Sequence, residues 1–134
     1  MIQKKVVAHY QNGQLFKGTT KDFFPSRDFF HLTPMDAPKE TSPLKLSIYG
    51  MKGLFFVKDY FGNKDYYEKK DFDPVRPIVG HKVRVIFKDG ELMVGTTNGY
   101  QDDLSGLIVV PADTNSNNER CFVFTSAIGK LAAI

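Results

Sequence analysis

The sequence predicts an all-β protein in which one small fold occurs twice. Two observations lead to this prediction. Runs of β-branched and aromatic residues, bounded by glycine, proline and asparagine, follow one another along the 134 residues, and no helical periodicity of useful length interrupts them. The segment NGQLFKGTT (12–20) also returns as DGELMVGTT (89–97), 77 positions later.

The 77-residue shift extends well beyond these two segments. It aligns residues 3–57 with residues 80–134 without an insertion or deletion and gives ten identities. Because chance similarity rarely keeps one register over such a window, the pattern indicates a duplicated domain. The first members of the identical pairs are Lys5, Val6, Gly13, Leu15, Gly18, Thr19, Thr20, Pro34, Asp36 and Leu54.

Each copy carries signals for five strands. The first pair of runs, KVVAHYQ and KVRVIFK, ends at Asn12-Gly13 and Asp89-Gly90, dipeptides typical of a two-residue type I′ turn. In the second strand, Gly18 and Gly95 suit a sharp bend that lets a short sheet curl. The later strands are FFHLTP and GLIVVP, then LKLSI and CFVFT, then LFFV and LAAI.

This strand pattern predicts an SH3-like or Sm-like small barrel in each copy. We therefore expect a first barrel over residues 1–57, a connector over 58–79 and a second barrel over 80–134. The connector is too rich in aromatic residues for a free linker. We expect it to pack along the barrels or to extend the last strand into a hairpin at Gly62-Asn63.

Several longer motifs together resemble a bacterial domain family of unknown function. They are GTTKDFFPSRDFFHLTP, LFFVKDYFGN, VIFKDGELMVGTTNGY and PADTNSNNER, and the resemblance runs from about Val6 to about Ile128. It implies an accessory domain found alongside signalling and cyclic-dinucleotide-binding modules, and hence a regulatory or binding role. Each copy is also similar to Sm-like proteins in fold, but KDFF (21–24) and NGYQ (98–101) do not reproduce their RNA-contacting loop.

Composition limits the classes that remain. Apolar residues make up 42% and charged residues 25%, which is typical of a globular chain. No apolar run is long enough to span a bilayer, and the first residues lack the pattern of a signal peptide, so a cytoplasmic location without a membrane partner is expected. Cys121 is the single cysteine and is expected to be a buried, inert thiol.

The sequence offers no catalytic constellation. His9, His31 and His81 lie in no metal-ligand spacing and are interpreted as surface or structural histidines. Asp102-Asp103 are adjacent and are expected in a solvated loop. Without a nucleophile motif or a phosphate-binding glycine loop, we expect neither an enzyme nor a cofactor or metal.

Charge and aromatic residues differ between the copies. Residues 3–57 hold eight basic and four acidic residues (+4), 58–79 hold five of each, and 80–134 hold five basic and six acidic residues (−1). An anionic partner should therefore be attracted to the first copy. Its excess aromatic residues either form an interface with the second copy or the connector, or make an exposed patch beside Lys17, Lys21 and Arg27.

The segment SNNERCF (116–122) also has two interpretations. Its polar residues can cap a loop, with Arg120 paired to Asp113 or Glu119. Alternatively, Asn117, Asn118 and Arg120 recognise a ligand.

The leading functional hypothesis is a non-enzymatic module for protein–protein interaction or regulation, with a homodimer through an exposed strand edge as a further expectation. The alternative is binding of RNA or single-stranded nucleic acid by the basic first copy. The candidate partner-binding residues are Lys21, Phe23, Phe24, Arg27, Phe29, Asn117, Asn118 and Arg120.

Overall fold

A computed structural model describes residues 4–99 and 105–134; Tyr100, Gln101 and the Asp102-Asp103 pair lie outside the described residues. The strands are β1 (Lys4–Tyr10), β2 (Leu15–Thr20), β3 (Phe29–Pro34), β4 (Leu44–Ser47), β5 (Met51–Val57), β6 (His81–Phe87), β7 (Leu92–Thr97), β8 (Gly106–Pro111), β9 (Asn118–Phe124) and β10 (Ile128–Ala133). One 3₁₀ turn, Thr125–Ala127, joins β9 to β10.

The predicted all-β class is confirmed, but the strands form a single open sheet. Its order is β10-β6-β7-β8-β9-β5-β1-β2-β3-β4, and each neighbouring pair is antiparallel. We call residues 4–57 (β1–β5) the first half and residues 81–134 (β6–β10) the second half. The halves are therefore continuous through the pairing of β5 with β9.

This pairing, which we call the joint, places residues of each half in the core of the other. Leu54 lies opposite Phe122, and Phe55 lies opposite Cys121. Successive side chains on a strand point to opposite faces, and at the joint each face belongs to a different core. The first-half core consists of Val6, Ala8, Phe30, Leu32, Leu46, Met51, Leu54, Phe122 and Phe124. The second-half core consists of Phe55, Val57, Val83, Val85, Phe87, Met93, Leu107, Val109, Cys121, Val123 and Ala127.

The residues supplied across the joint enlarge the core of each half. A half of about 55 residues is close to the lower limit for an independently stable core. Phe122 and Phe124 of β9 complete the first-half core, while Phe55 and Val57 of β5 complete the second. Because burial of each large apolar side chain contributes about 1.5–3 kcal/mol, each half depends on the other for its stability.

The first hairpin of each half differs from the predicted turn type. Tyr10 N–H donates to Gln14 O at 2.9 Å, and Phe87 N–H donates to Glu91 O at 2.9 Å, so three residues form each loop. Gly13 and Gly90 have positive φ angles of 93° and 92°, whereas Asn12 and Asp89 do not. A type I′ turn needs positive φ at both central residues, so that prediction is wrong, and the geometry is that of a three-residue loop ending in a glycine.

Gly18 and Gly95, for which the sequence predicted a bend, lie where two neighbouring strands approach each other closely. A Cβ atom would lie 2.0 Å from Thr33 O at Gly18 and 2.1 Å from Val110 O at Gly95. Only glycine allows β2 to approach β3, and β7 to approach β8, this closely.

Lys52 fastens the joint to the β6–β7 loop. Its side chain is buried, and Nζ donates to Asp89 Oδ2 and Glu91 Oε1 at 2.7 Å each. Burial disfavours the charge on Lys52, but these bonds outweigh burial and raise its pKa. The bond from Lys52, followed by the Glu91 backbone N–H, lowers the pKa of Asp89. The ammonium group also lies 4.5 Å from the centroid of the Phe87 ring.

A truncation at the joint should destabilise both halves. We expect Phe122→Ala to lower the free energy of unfolding by about 3–5 kcal/mol, because it opens a cavity in the first-half core. Phe122 itself lies on β9, a strand of the second half. Denaturant unfolding, followed by NMR signals from β1 and β6, should give one shared midpoint. Phe61→Ala, at an exposed ring, is the control and should change stability by less than about 0.5 kcal/mol. Unfolding of β1 alone would contradict the shared-core account.

The Lys52 contacts should appear in the pH dependence of stability. The lowered pKa of Asp89 gives stability that is present above its unfolded value and lost as pH falls through the folded pKa. The raised pKa of Lys52 gives stability that is present below 10.5 and lost as pH rises through its folded pKa. Lys52→Met should therefore flatten both limbs of a stability–pH curve measured by urea unfolding. Lys70→Met, which removes a more exposed pair, should leave both limbs as in the parent; identical curves for all three proteins would refute this role for Lys52.

Candidate interaction surfaces

The candidate residues of the β2–β3 loop do not all lie on one surface. Phe23 is half-buried and packs edge-on against Phe30 and Phe122, with ring centroids 5.3 Å and 5.6 Å away. It therefore covers the first-half core at the joint. Ser105, the residue before β8, adds to this contact because its Oγ donates to Pro25 O at 3.1 Å. For Phe23, the interface interpretation fits the structure.

Phe24 and Phe29 instead expose their rings, and each ring carries a cation. The guanidinium carbon of Arg27 lies 4.7 Å from the Phe24 ring centroid, and Nζ of Lys45 lies 4.3 Å from the Phe29 centroid. A cation over an aromatic face is attracted by the ring quadrupole. We call Phe24, Arg27, Phe29 and Lys45 the first-half aromatic surface. Lys21 is exposed in the same loop.

The loop that carries this surface is fixed at Asp22. Its carboxylate accepts the His31 backbone N–H at 2.8 Å and contacts His31 Nδ1 at 2.6 Å. Burial opposes ionisation, but the bonds from His31 and from the Thr20 hydroxyl outweigh it, so the pKa of Asp22 is lowered. His31 therefore has a structural role, as the sequence predicted for the histidines.

The candidates around β9 lie in a different part of the molecule. Asn117 holds the connector: its Oδ1 accepts Asp59 N–H at 3.0 Å and its Nδ2 donates to Asp59 O at 2.8 Å. Asn118 is half-buried beside it. Arg120 forms neither of the predicted carboxylate pairs; its guanidinium carbon lies 4.5 Å from the Phe56 ring centroid.

Asp113 has a structural role that the sequence did not reveal. Its buried carboxylate accepts hydrogen bonds from the Tyr66 hydroxyl and from the backbone N–H groups of Lys69 (2.8 Å) and Asn115 (2.9 Å). Burial works against the charge, yet these bonds lower the pKa of Asp113. The connector therefore packs onto the second half through polar contacts. β5 ends at Val57 and the turn lies at Lys64-Asp65, where Tyr66 N–H donates to Asn63 O at 3.1 Å, so neither the expected strand extension nor a hairpin at Gly62-Asn63 forms.

Among the cavities between the connector and the halves, two lie beside the start of β9. One, of about 380 Å³, opens over the joint and combines apolar side chains such as Val7 and Met93 with Lys17 and Glu91. The other, of about 590 Å³, is bordered by the connector and the turn before β9. Burial, and then the charge of Lys52, lower the pKa of His9 at the first cavity. Sequence reasoning missed both cavities because their residues come from separate strands with no motif in common.

The described residues show neither a metal cluster nor a reactive thiol. Within 4–99 and 105–134, no group of three or more His, Cys, Asp or Glu side chains is arranged to hold a metal ion. Cys121 is fully buried, and burial raises its pKa well above the usual value, so the thiol stays protonated as expected for an inert residue. Across the same ranges no helix has the length and apolarity to cross a membrane.

Comparison with known proteins gives a family without an assigned activity. No curated protein and no solved structure matches the chain. A family model described as a family of unknown function, DUF6982, matches residues 2–134. The expected resemblance to a domain family of unknown function is thereby confirmed, and the chain belongs to the DUF6982 family.

Proposed function

We propose that this protein is a non-enzymatic binding module that docks a protein partner through the first-half aromatic surface. The observation that carries the proposal is the pair of exposed rings, Phe24 and Phe29, each with its own cation. Aromatic and arginine side chains dominate the energetics of protein interfaces. Aromatic rings bury much area at a low cost in conformational entropy, and the arginine guanidinium group can stack on rings and donate several hydrogen bonds. The anchored β2–β3 loop presents Phe24 and Arg27 in a fixed arrangement before a partner arrives.

The proposal includes a duplicated architecture of two Sm-like or SH3-like units. The strand registers support it: Val6 pairs with Gly18 in the first half, and Val83 pairs with Gly95 in the second, again 77 residues apart. The family resemblance suggests a bacterial signalling context, and the N-terminal sequence, which lacks a signal-peptide pattern, suggests a cytoplasmic location. Since the strand framework is alike in both halves, we assign binding to the loops and faces where they differ.

Removal of the exposed rings should weaken partner binding without unfolding the protein. Immobilised parent and variant proteins are used to capture partners from a bacterial lysate, and bound proteins are quantified by mass spectrometry. Phe24→Ala and Phe29→Ala should each lower the affinity for a specifically captured partner about tenfold or more, equivalent to at least about 1.4 kcal/mol. Tyr67→Ala removes an exposed ring of the connector and is the matched control. Equal recovery by all four proteins would exclude this surface as the docking site.

Binding of RNA or single-stranded nucleic acid is the second candidate function. The same surface favours it, because exposed rings can stack bases while Arg27 and Lys45 contact phosphates. The net charge of +4 over residues 3–57 would attract such a ligand.

A salt titration distinguishes this candidate. Filter binding of a short oligouridylate should give a log affinity that falls linearly with log salt, by about 0.7 for each phosphate contact. Lys45→Gln should reduce that slope by about one contact, whereas Lys64→Gln, in the connector, should not. Absence of binding at low salt, or an affinity that does not depend on salt, would exclude the nucleic-acid function.

A further inference from the structure

The two edge strands of the sheet are the sequence counterparts of the two strands that pair at the joint. A shift of 77 residues relates β4 to β9 and β5 to β10 in sequence. At the joint, β5 of the first half pairs with β9 of the second. The strands left at the edges are β10 and β4. Each molecule therefore has a β4 edge that is equivalent to the β9 side of its joint, and a β10 edge that is equivalent to the β5 side.

Residues that the joint buries have exposed apolar counterparts at the free edges. Leu54 of β5 is 0% exposed, whereas Leu131 of β10 is 38% exposed. Cys121 of β9 is 0% exposed, whereas Leu44 of β4 is 40% exposed. An edge strand also presents backbone N–H and C=O groups that can pair with another chain. A pairing like that of the joint would therefore bury these apolar side chains and bond the backbone groups of both edges.

We propose that a second copy of this chain binds head to tail, with β10 of one molecule pairing antiparallel to β4 of the next. Transfer of the joint register by 77 residues places Leu131 opposite Lys45 and Ala132 opposite Leu44. The contact joins two different surfaces, so each added molecule leaves another free β4 and β10 edge. Such assembly continues until it closes into a ring or extends as a filament. The inference rests on the duplicated architecture proposed above.

Charge favours head-to-tail pairing over a two-fold contact between identical β4 edges. Head-to-tail pairing brings a first half of net charge +4 against a second half of net charge −1. A two-fold β4–β4 contact would bring two +4 halves together, and like charges disfavour association.

The contact between copies is weaker than the joint. Lys45 and Ser47 occupy the β4 positions equivalent to Phe122 and Phe124, and Ala132 occupies the position of Phe55. Less apolar surface is therefore buried, although the Lys45 stem can still cover Leu131 while its ammonium group stays in water. An edge lysine also limits uncontrolled pairing. Association between copies is consequently reversible and depends on protein concentration.

Edge variants and their mixture test the proposal. Sedimentation velocity of the pure parent protein should show a mass that increases with concentration. The series extends to about 1 mM, the concentration at which a contact with a Kd of about 1 mM is half-saturated. Leu44→Asp blocks the β4 edge, since it places a carboxylate opposite the apolar Ala132, and Leu131→Lys blocks the β10 edge, since it places a second ammonium group opposite Lys45. Each variant alone should remain monomeric. An equimolar mixture should form a 1:1 dimer and nothing larger, because only one intact β4 and one intact β10 can meet.

Two controls keep the test specific. Ile108→Asp changes a comparably exposed residue on the outer face of β8 and should assemble as the parent does. Circular dichroism and thermal unfolding should show that all three variants fold. A parent protein that stays monomeric, a Leu44→Asp variant that still self-associates, or a mixture that forms no dimer would each overturn head-to-tail pairing. These measurements use the pure protein, so failure of the proposed docking surface would leave their outcome unchanged.

Discussion

The pairing of β5 with β9 is the constraint on which the rest of the structure depends. Because side chains alternate across a strand, one ladder of backbone hydrogen bonds supplies Phe122 to the first-half core and Phe55 to the second. Phe23 closes the first core from above, and Lys52 ties β5 to the β6–β7 loop. Two units that would each be marginal alone thereby form one sheet with two interdependent cores.

The joint also determines which aromatic residues remain available for a partner. Sequence alone left open whether the first half's excess rings form an interface or a patch, and the structure divides them. Phe23 is used to cover the joint, whereas Phe24 and Phe29 face outward with Arg27 and Lys45 over their rings. Asn117 and Asp113, at the other side of the joint, are used to hold the connector. Fewer residues than the sequence suggested are therefore available to bind a partner, and they are centred on Phe24 and Phe29.

Local structure was predictable because it depends on local chemistry. The predicted segments FFHLTP and GLIVVP have the same bounds as β3 and β8. Gly18, for which the sequence predicted a bend, lies where β2 approaches β3 closely. The joint was not predicted, since β5 and β9 are distant in sequence and no periodicity links them. The unbroken apolar run LFFV does indicate that β5 is buried on both faces, because such a strand lacks the alternation of apolar and polar residues. The turn type was wrong because Asn12-Gly13 also fits a three-residue loop.

Native-state hydrogen exchange tests the shared-core account most directly. Amides of β1 and β6 lie in opposite halves, and both strands pack on side chains that cross the joint. If the joint makes the halves interdependent, the slowest amides of both strands will exchange with one opening free energy and one dependence on denaturant. If β1 amides open at a clearly lower free energy than β6 amides, or the reverse, the halves unfold separately and the account is contradicted.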